Sequence, residues 1–489
     1  MKISKNKKTV GYLILWVIAS ILPLSARAET IGLAEYLQQI QAEHPFFKQQ
    51  ALDGEIERAQ QQRFLGDEDW VVSASPGYRH SERTNSNGFT AEKRDGLVLG
   101  AGLARTFWSN GGRISVDYHY SHIEQQFAAP LGTFDEHGNG LSVTYMLPLM
   151  KNRGGELSRL EYELQRFTVD HSDLASVERR EAYLEQHALL FIDWVFVDEQ
   201  QRIAANRLAL ADKELIRTKQ KRRSRLVAEV DVLRARDAVI NARQHLSAIK
   251  TQWLALQAEL ATHAMDRSLY QMSPHFDLYA LKVLPSVAEA RDDLHQSARQ
   301  LHQIDVQLAQ SERLLGGLDN QLAPELELML SGGLNSEADH LSGSTSFDQP
   351  QYALGLNFRY PLGQRTVRAD VNKARLQQQQ LRAARSSLEL QLEAQLRNFL
   401  VQLEQLEGVM ALNREQIEVA QLRTKEELSR HNQGRSELSF VIQSRDNEQN
   451  AQFSLATNAA RYQKIWLRYT ALMDVLIDDL ALNDEGLLP

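Results

Sequence analysis

The chain contains no cysteine. That excludes a disulfide framework, thiol catalysis, cysteine-ligated metal and a lipid-anchored cysteine behind a leader. Basic residues are not in excess: 55 Lys and Arg face 63 Asp and Glu, a formal charge of −8, which disfavours a general nucleic-acid binder. No internal segment is apolar for the roughly 20 residues that a membrane-spanning helix needs. Catalytic signatures are missing as well: there is no phosphate loop, no G-x-S-x-G elbow and no H-E-x-x-H. Gly100-Ala101-Gly102 lacks a third glycine and lies in an alternating strand, and Glu259 with His263 at i, i+4 reads as a surface contact. With no catalytic constellation and no cofactor or metal site, the sequence favours a structural or conduit role over an enzyme. Glycine and proline are nearly absent from about 154 to 218, where Glu, Gln, Arg, Leu and Ala crowd together. A helix of about 65 residues would be on the order of 100 Å long, which no compact domain requires.

Residues 1–28 read as a secretory signal peptide: a basic start (Lys2, Lys5, Lys7, Lys8), the apolar run Val10 to Leu22, and Ala26-Arg27-Ala28 as the cleavage site. Loss of those bases and Arg27 leaves a mature charge of about −13. A secreted chain of this length without a disulfide suits a periplasm.

What remains reads as a duplication. Arg236-Asp237 through Asn241-Ala242 and Arg445-Asp446 through Asn450-Ala451 share Arg-Asp-x-x-x-Asn-Ala about 209 positions apart, and strands ending in Pro148-Leu149 and Pro361-Leu362 lie about 213 apart. The first repeat is placed at 29–284 (a helix, strands at about 70–147, a helical hairpin at about 154–265). The second is placed at 285–489 (a helix, strands at about 325–361, a hairpin at about 364–480). Leu392, Leu396, Phe399, Leu403, Leu406, Met410, Asn413, Ile417 and Ala420 follow alternating steps of four and three, the seam of a coiled coil; Leu184, Ala188, Phe191 and Val195 begin another.

The strands alternate with period 2. Ile114, Val116, Tyr118 and Tyr120 interleave with Ser115, Asp117 and His119; Leu354, Leu356 and Phe358 interleave with Gly355 and Asn357. One apolar and one wet face fit a soluble sandwich or an outer-membrane barrel. Trp70, Tyr78, Phe107, Trp108, Tyr145 and Tyr360 near strand ends could form its aromatic girdle. Asn110-Gly111-Gly112 signals a tight hairpin. Two strands are counted in the second half and two to four in the first, too few to close a barrel within one chain. An open edge cannot face lipid, so the barrel reading requires several copies to pool their strands.

Signal peptide, duplication, heptad helices and paired strands together resemble the TolC-type outer-membrane channels, the outer membrane efflux protein family. Leu226 to Val232 with Ala235-Arg236 resembles the family's first helix-hairpin turn, and Gln433-Gly434-Arg435-Ser436 its second. Leu354 to Leu362 resembles its last strand, and Leu33 to Pro45 its opening helix.

The resemblance implies a mostly α protein with membrane β-structure: long coiled-coil helices forming a periplasmic α-barrel, and strands contributing to a shared trimeric outer-membrane β-barrel, four per protomer and twelve in all. It implies a homotrimer in outer-membrane lipid, a passive exit duct of a tripartite efflux or type I secretion system. A periplasmic adaptor (membrane fusion protein) and an inner-membrane transporter would open it, and an equatorial region would lie near 266 to 290 and after 480. The hairpin at 97–122 exceeds this pattern; it either lengthens the barrel region or adds strands.

At the tips, Arg225 stands where the family usually has Gly, while Gly434 is kept. Where the best-known member ties its gate with a Tyr, an Arg and two Asp, the matching positions hold His431, Ser436, Phe440 and Gln443. The candidate constriction is therefore Asp231, His431, Arg435, Glu437 and Gln443, with His431 expected against Asp231 as a pH-sensitive tie. The candidate adaptor contact is Arg222, Arg223, Arg225, Leu226, Gly434 and Ser436. A periplasmic adaptor or a coiled-coil scaffold is the alternative; neither needs lipid-facing strands.

Overall fold

The computed structural model describes residues 30–83 and 90–479. The signal peptide and the equatorial segment placed after 480 lie outside the described residues.

The chain opens with a short strand, Thr30–Gly32 (β1), and a helix, Leu33–Glu43 (α1). His44 before Pro45 is extended (ψ 129°), breaking the helix; Pro45 takes the first position of Pro45–Phe64 (α2), where its missing N–H costs nothing. Four strands follow, Val71–Glu82 (β2), Lys93–Thr106 (β3), Arg113–Gln126 (β4) and Thr133–Pro148 (β5). The first helical hairpin is Leu160–Arg223 (α3) with Glu229–His263 (α4). A largely non-helical strap over 264–286 carries Ser273–His275 (β6) and leads into Val287–Ser297 (α5) and Arg299–Gln321 (α6). Strands Glu325–Ala338 (β7) and Gln349–Arg359 (β8) lead into the second hairpin, Arg365–Asn432 (α7) with Leu438–Leu472 (α8), and Leu476–Asp479 (α9) ends the description. The hairpins match in build: 64 then 35 residues, and 68 then 35.

Burial explains the helices. Leu392, Leu396, Leu403, Leu406 and Met410 are buried, and Phe399, Asn413, Ile417 and Ala420 half-buried; Leu400, off the seam, is buried too. Asn413 accepts a 2.7 Å hydrogen bond from Asn458 and so fixes the register of α7 against α8. Leu184, Ala188, Phe191 and Val195 enter the same core, where Trp194 packs edge-on to Phe191. The strap over 264–286 is pinned by two buried glutamines. Gln257 Nε2 donates to the Leu269 and Met272 carbonyls, and Gln463 Nε2 to those of Leu278 and Ala280. These bonds satisfy carbonyls that an irregular segment would otherwise bury unpaired.

Three histidine rings, tilted to one another, line up beside this core. His187, 2% exposed, lies 4.5 Å ring-to-ring from His263, which is 6.2 Å from His44. Burial, with His263 and His44 adding repulsion, pushes His187 from 6.5 down to about 4. The unfolded chain therefore takes up this proton first, so the stability His187 supports is present above pH 6.5 and lost as pH falls toward 4. The expected size is about 3 kcal/mol over that window. A His187→Gln variant should show a flatter acid limb in unfolding midpoints measured from pH 7 to 4; an unchanged limb would remove His187 as its source.

The six long strands form one antiparallel sheet, order β2-β3-β4-β5-β7-β8. This corrects the four strands per chain that the family resemblance implied. The segment 93–126 pairs along its whole length on both sides, Lys93↔Gln126 to Thr106↔Arg113 within itself and Arg113↔Met146 to Gln126↔Thr133 with β5. Its alternation and its Asn-Gly-Gly turn, with Gly111 at φ 73°, supply what two further strands require.

Candidate functional site

Among the described residues, two surfaces stand uncovered: the sheet and the hairpin tips. Register sorts the sheet's side chains into two faces. One row across all six strands reads Val72, Leu103, Val116, Val143, Gly332, Tyr352; the adjacent row on the other face reads Ser73, Gly102, Asp117, Ser142, Gly333, Gln351. Apolar side chains on the first face stand open, Val72 at 78%, Tyr352 at 85% and Leu354 at 74% exposure. A continuous apolar patch of this kind marks an interaction surface. Among the described residues no helix is long and apolar enough to cross a membrane. β2 and β8 carry the sheet's free edges, and their unpaired N–H and C=O groups must find another strand or water.

At the opposite end, both hairpins reverse through the same six-to-one turn. Leu226 N–H donates to the Lys221 carbonyl and Arg225 N–H to that of Arg222; Arg435 N–H donates to the Arg430 carbonyl and Gly434 N–H to that of His431. The turn demands a left-handed residue, and Arg225 sits at φ 60° where Gly434 sits at φ 73°. For a side-chain-bearing residue that conformation costs on the order of 1 kcal/mol. Arg225→Gly is expected to raise stability by about 1 kcal/mol and Gly434→Ala to lower it similarly, read from thermal unfolding in detergent. No gain in the Arg225 variant would mean that the arginine side chain compensates by a contact outside this chain.

Lys221 Nζ donates to Asn432 Oδ1 at 3.2 Å and ties one turn to the other. Between them lies a groove of about 600 Å³ that brings Asp231, His431, Gly434, Ser436 and Glu437 together with Leu226. The expected His431 to Asp231 tie is not how the groove is joined. His431, 8% exposed, bonds through Nδ1 to the Ser436 carbonyl at 3.0 Å, and Asp231 pairs with Arg234 at 3.4 Å and caps α4 through the Ala228 N–H. Arg234 also lies 3.9 Å from Glu437. Ser436 Oγ donates to Glu427. Arg435 is exposed, as is Gln443, which lines a second groove farther along the hairpins. Of the basic run, Arg222 pairs with Glu229 at 3.1 Å, while Arg223 and Arg225 are exposed beside Leu226, 73% exposed.

The second groove holds a residue that sequence reasoning missed. Arg207 of α3 is buried and donates Nε and Nη2 to Asp446 Oδ1 at 3.0 and 2.8 Å. The repeated Arg-Asp motif singles out Asp446, but nothing in the sequence points to a partner 239 positions away.

No family model and no curated protein sequence matches the chain. Solved structures do. The outer-membrane channel OprN superposes with a TM-score of 0.65 at 15% identity, over 90% of this chain and 89% of that one. The outer membrane protein VceC of Vibrio cholerae gives 0.64 at 12%, over 90% and 95%. The CmeC outer membrane channel of Campylobacter jejuni gives 0.63 at 12%, over 91% and 86%. The chain has the fold of these proteins.

Proposed function

We propose that this chain is the outer-membrane channel of an export system, belonging with the TolC-type efflux proteins. Three copies would join β2 of one sheet to β8 of the next, closing a barrel in the outer membrane of a Gram-negative cell. The helices would continue it as a coiled-coil tunnel across the periplasm. The observation that carries this reading is the two-faced sheet with both edges free: apolar outside and polar inside is the pattern of a membrane barrel, and edges cannot stay open in lipid. The shared fold supports it.

In this reading the duct is passive rather than catalytic. Asp231, His431, Arg435, Glu437 and Gln443 surround the periplasmic constriction. A periplasmic adaptor, coupled to an inner-membrane transporter, meets the tips at Arg222, Arg223, Arg225, Leu226, Gly434 and Ser436. The tie inside each protomer is Arg234 between Asp231 and Glu437, with His431 a buried support of the second turn. The test is purification of the full chain from membranes. Cross-linking should give trimers that require detergent and conduct ions in planar bilayers; a monomer dispersed without surfactant overturns the proposal.

A further inference from the structure

One cation stands on the apolar face of the sheet without a counter-charge. By register Arg105 of β3 shares that face with Ile114, Tyr145, Leu330 and Leu354. The other arginines of the described strands, Arg79, Arg94, Arg113 and Arg359, fall on the polar face. Among the described residues no carboxylate or carbonyl engages the Arg105 guanidinium, and its Nε–H is buried without an acceptor. What holds it is aromatic: the Trp70 and Phe107 ring centres lie 5.8 and 5.4 Å from its Cζ. Two rings fix the position of a cation but do not neutralise it.

Its level on the sheet is defined from both sides. Toward the loops the same face of β3 continues as Leu103, Ala101, Leu99 and Leu97. In the other direction the β3–β4 turn rests on the helices, with the Trp108 ring 5.3 Å from that of Tyr162 on α3. Glu68, in the adjoining turn, is engaged by the Trp108 backbone N–H at 2.6 Å. Arg105 therefore marks the line where the apolar face ends against the helices. An arginine facing lipid is costly at the bilayer midplane and cheap at its edge, and the edge is also where tryptophan collects.

We propose that Arg105, framed by Trp70 and Phe107, binds the phosphate of a glycerophospholipid in the periplasmic leaflet of the outer membrane, one lipid per protomer. This rests on the channel reading above, which turns the apolar face to lipid and the helices to the periplasm. A phosphodiester supplies both things the site lacks, a negative charge and paired oxygens for the guanidinium fork. Its acyl chains would then run over Leu103 and its neighbour Val72, which is 78% exposed. The opposite end of this face is built for a different surface. One row there reads His80, Asp95, Glu124, Asp135, with three carboxylates and no arginine to receive a phosphate.

The full-length trimer, stripped of lipid in detergent, can be titrated with dimyristoylphosphatidylglycerol and read by native mass spectrometry. Three retained lipids per trimer are expected, and Arg105→Gln should weaken their binding about tenfold. Arg105→Lys keeps the charge without the fork and should fall between the two; it carries the test if the glutamine variant does not assemble. Equal lipid occupancy in an assembled Arg105 variant and the unsubstituted trimer would overturn the inference and leave the channel standing. Failure of the unsubstituted chain to form a trimer would overturn the channel reading itself. Displacement of the lipid by an equal concentration of inorganic phosphate would mean a free-anion site, and tighter retention of lipopolysaccharide would move the lipid to the other leaflet; either result overturns the assignment.

Discussion

Leu354→Arg is expected to abolish the detergent-extractable trimer in the outer-membrane fraction, whereas Asn357→Arg, three residues along the same strand, should leave its yield near that of the unsubstituted protein. The two positions differ in face. Leu354 lies opposite Leu330 on the apolar side and Asn357 opposite Glu327 on the polar side. An arginine facing lipid costs about 2–4 kcal/mol at the bilayer midplane, and a symmetric assembly incurs it once per copy. Facing a water-filled lumen it costs little. On a soluble protein both would be exposed surface changes within about 0.5 kcal/mol, since Leu354 is already open within its own chain. Equal yields of the two variants would remove the membrane assignment of the apolar face.

Arg299→Met should destabilise the helical region by about 3–5 kcal/mol, the cost of leaving buried charge without its partner. Arg299 begins α6 and reaches three carboxylates: Glu181, in direct contact, Asp474 at 3.0 Å and Glu178 at 3.4 Å. Glu181 also accepts from the Leu476 N–H at 3.1 Å, so the cluster joins α3 to the end of the second repeat. The three carboxylates lie close enough together to hold a metal ion, but here the guanidinium supplies the positive charge they face.

Burial raises Asp474 to about 6, against the backbone hydrogen bond and charge of Arg299. Its folded pKa exceeds the unfolded 3.8, so its carboxyl favours the folded state below pH 4 and loses that contribution as pH rises through 6. Without the Arg299 charge, the Asp474 carboxyl has still more reason to hold its proton. The loss in the variant should therefore be larger at pH 8 than at pH 5, measured by thermal unfolding of the detergent-solubilised protein. A loss independent of pH would mean that packing, not charge, is what Arg299 supplies, and Asp474→Asn in the same background would then fail to restore stability.

Local periodicity carried much of the architecture into the sequence. The alternation of Val116, Tyr118 and Tyr120 with Ser115, Asp117 and His119 fixes which face is wet in any register, because side-chain direction in a strand repeats every second residue. The steps of four and three from Leu392 to Ala420 fix the buried stripe of α7 for the same kind of reason. Arg225 and Gly434, 209 positions apart, both take a left-handed conformation where their hairpins reverse.

Tertiary structure alone decided what each face meets. Whether 97–122 joins the sheet depends on backbone pairing with β2 and β5, which alternation cannot announce. His431 settles on the Ser436 carbonyl, and Asp231 on Arg234, because the second turn curls its own chain over the imidazole before the first can reach it. Arg207 finds Asp446, and Arg299 finds Glu181 and Asp474, across more than a hundred residues. Periodicity is a property of one element and is written in order along the chain. Partnership is a property of two elements brought together by burial, and the chain does not record it in order.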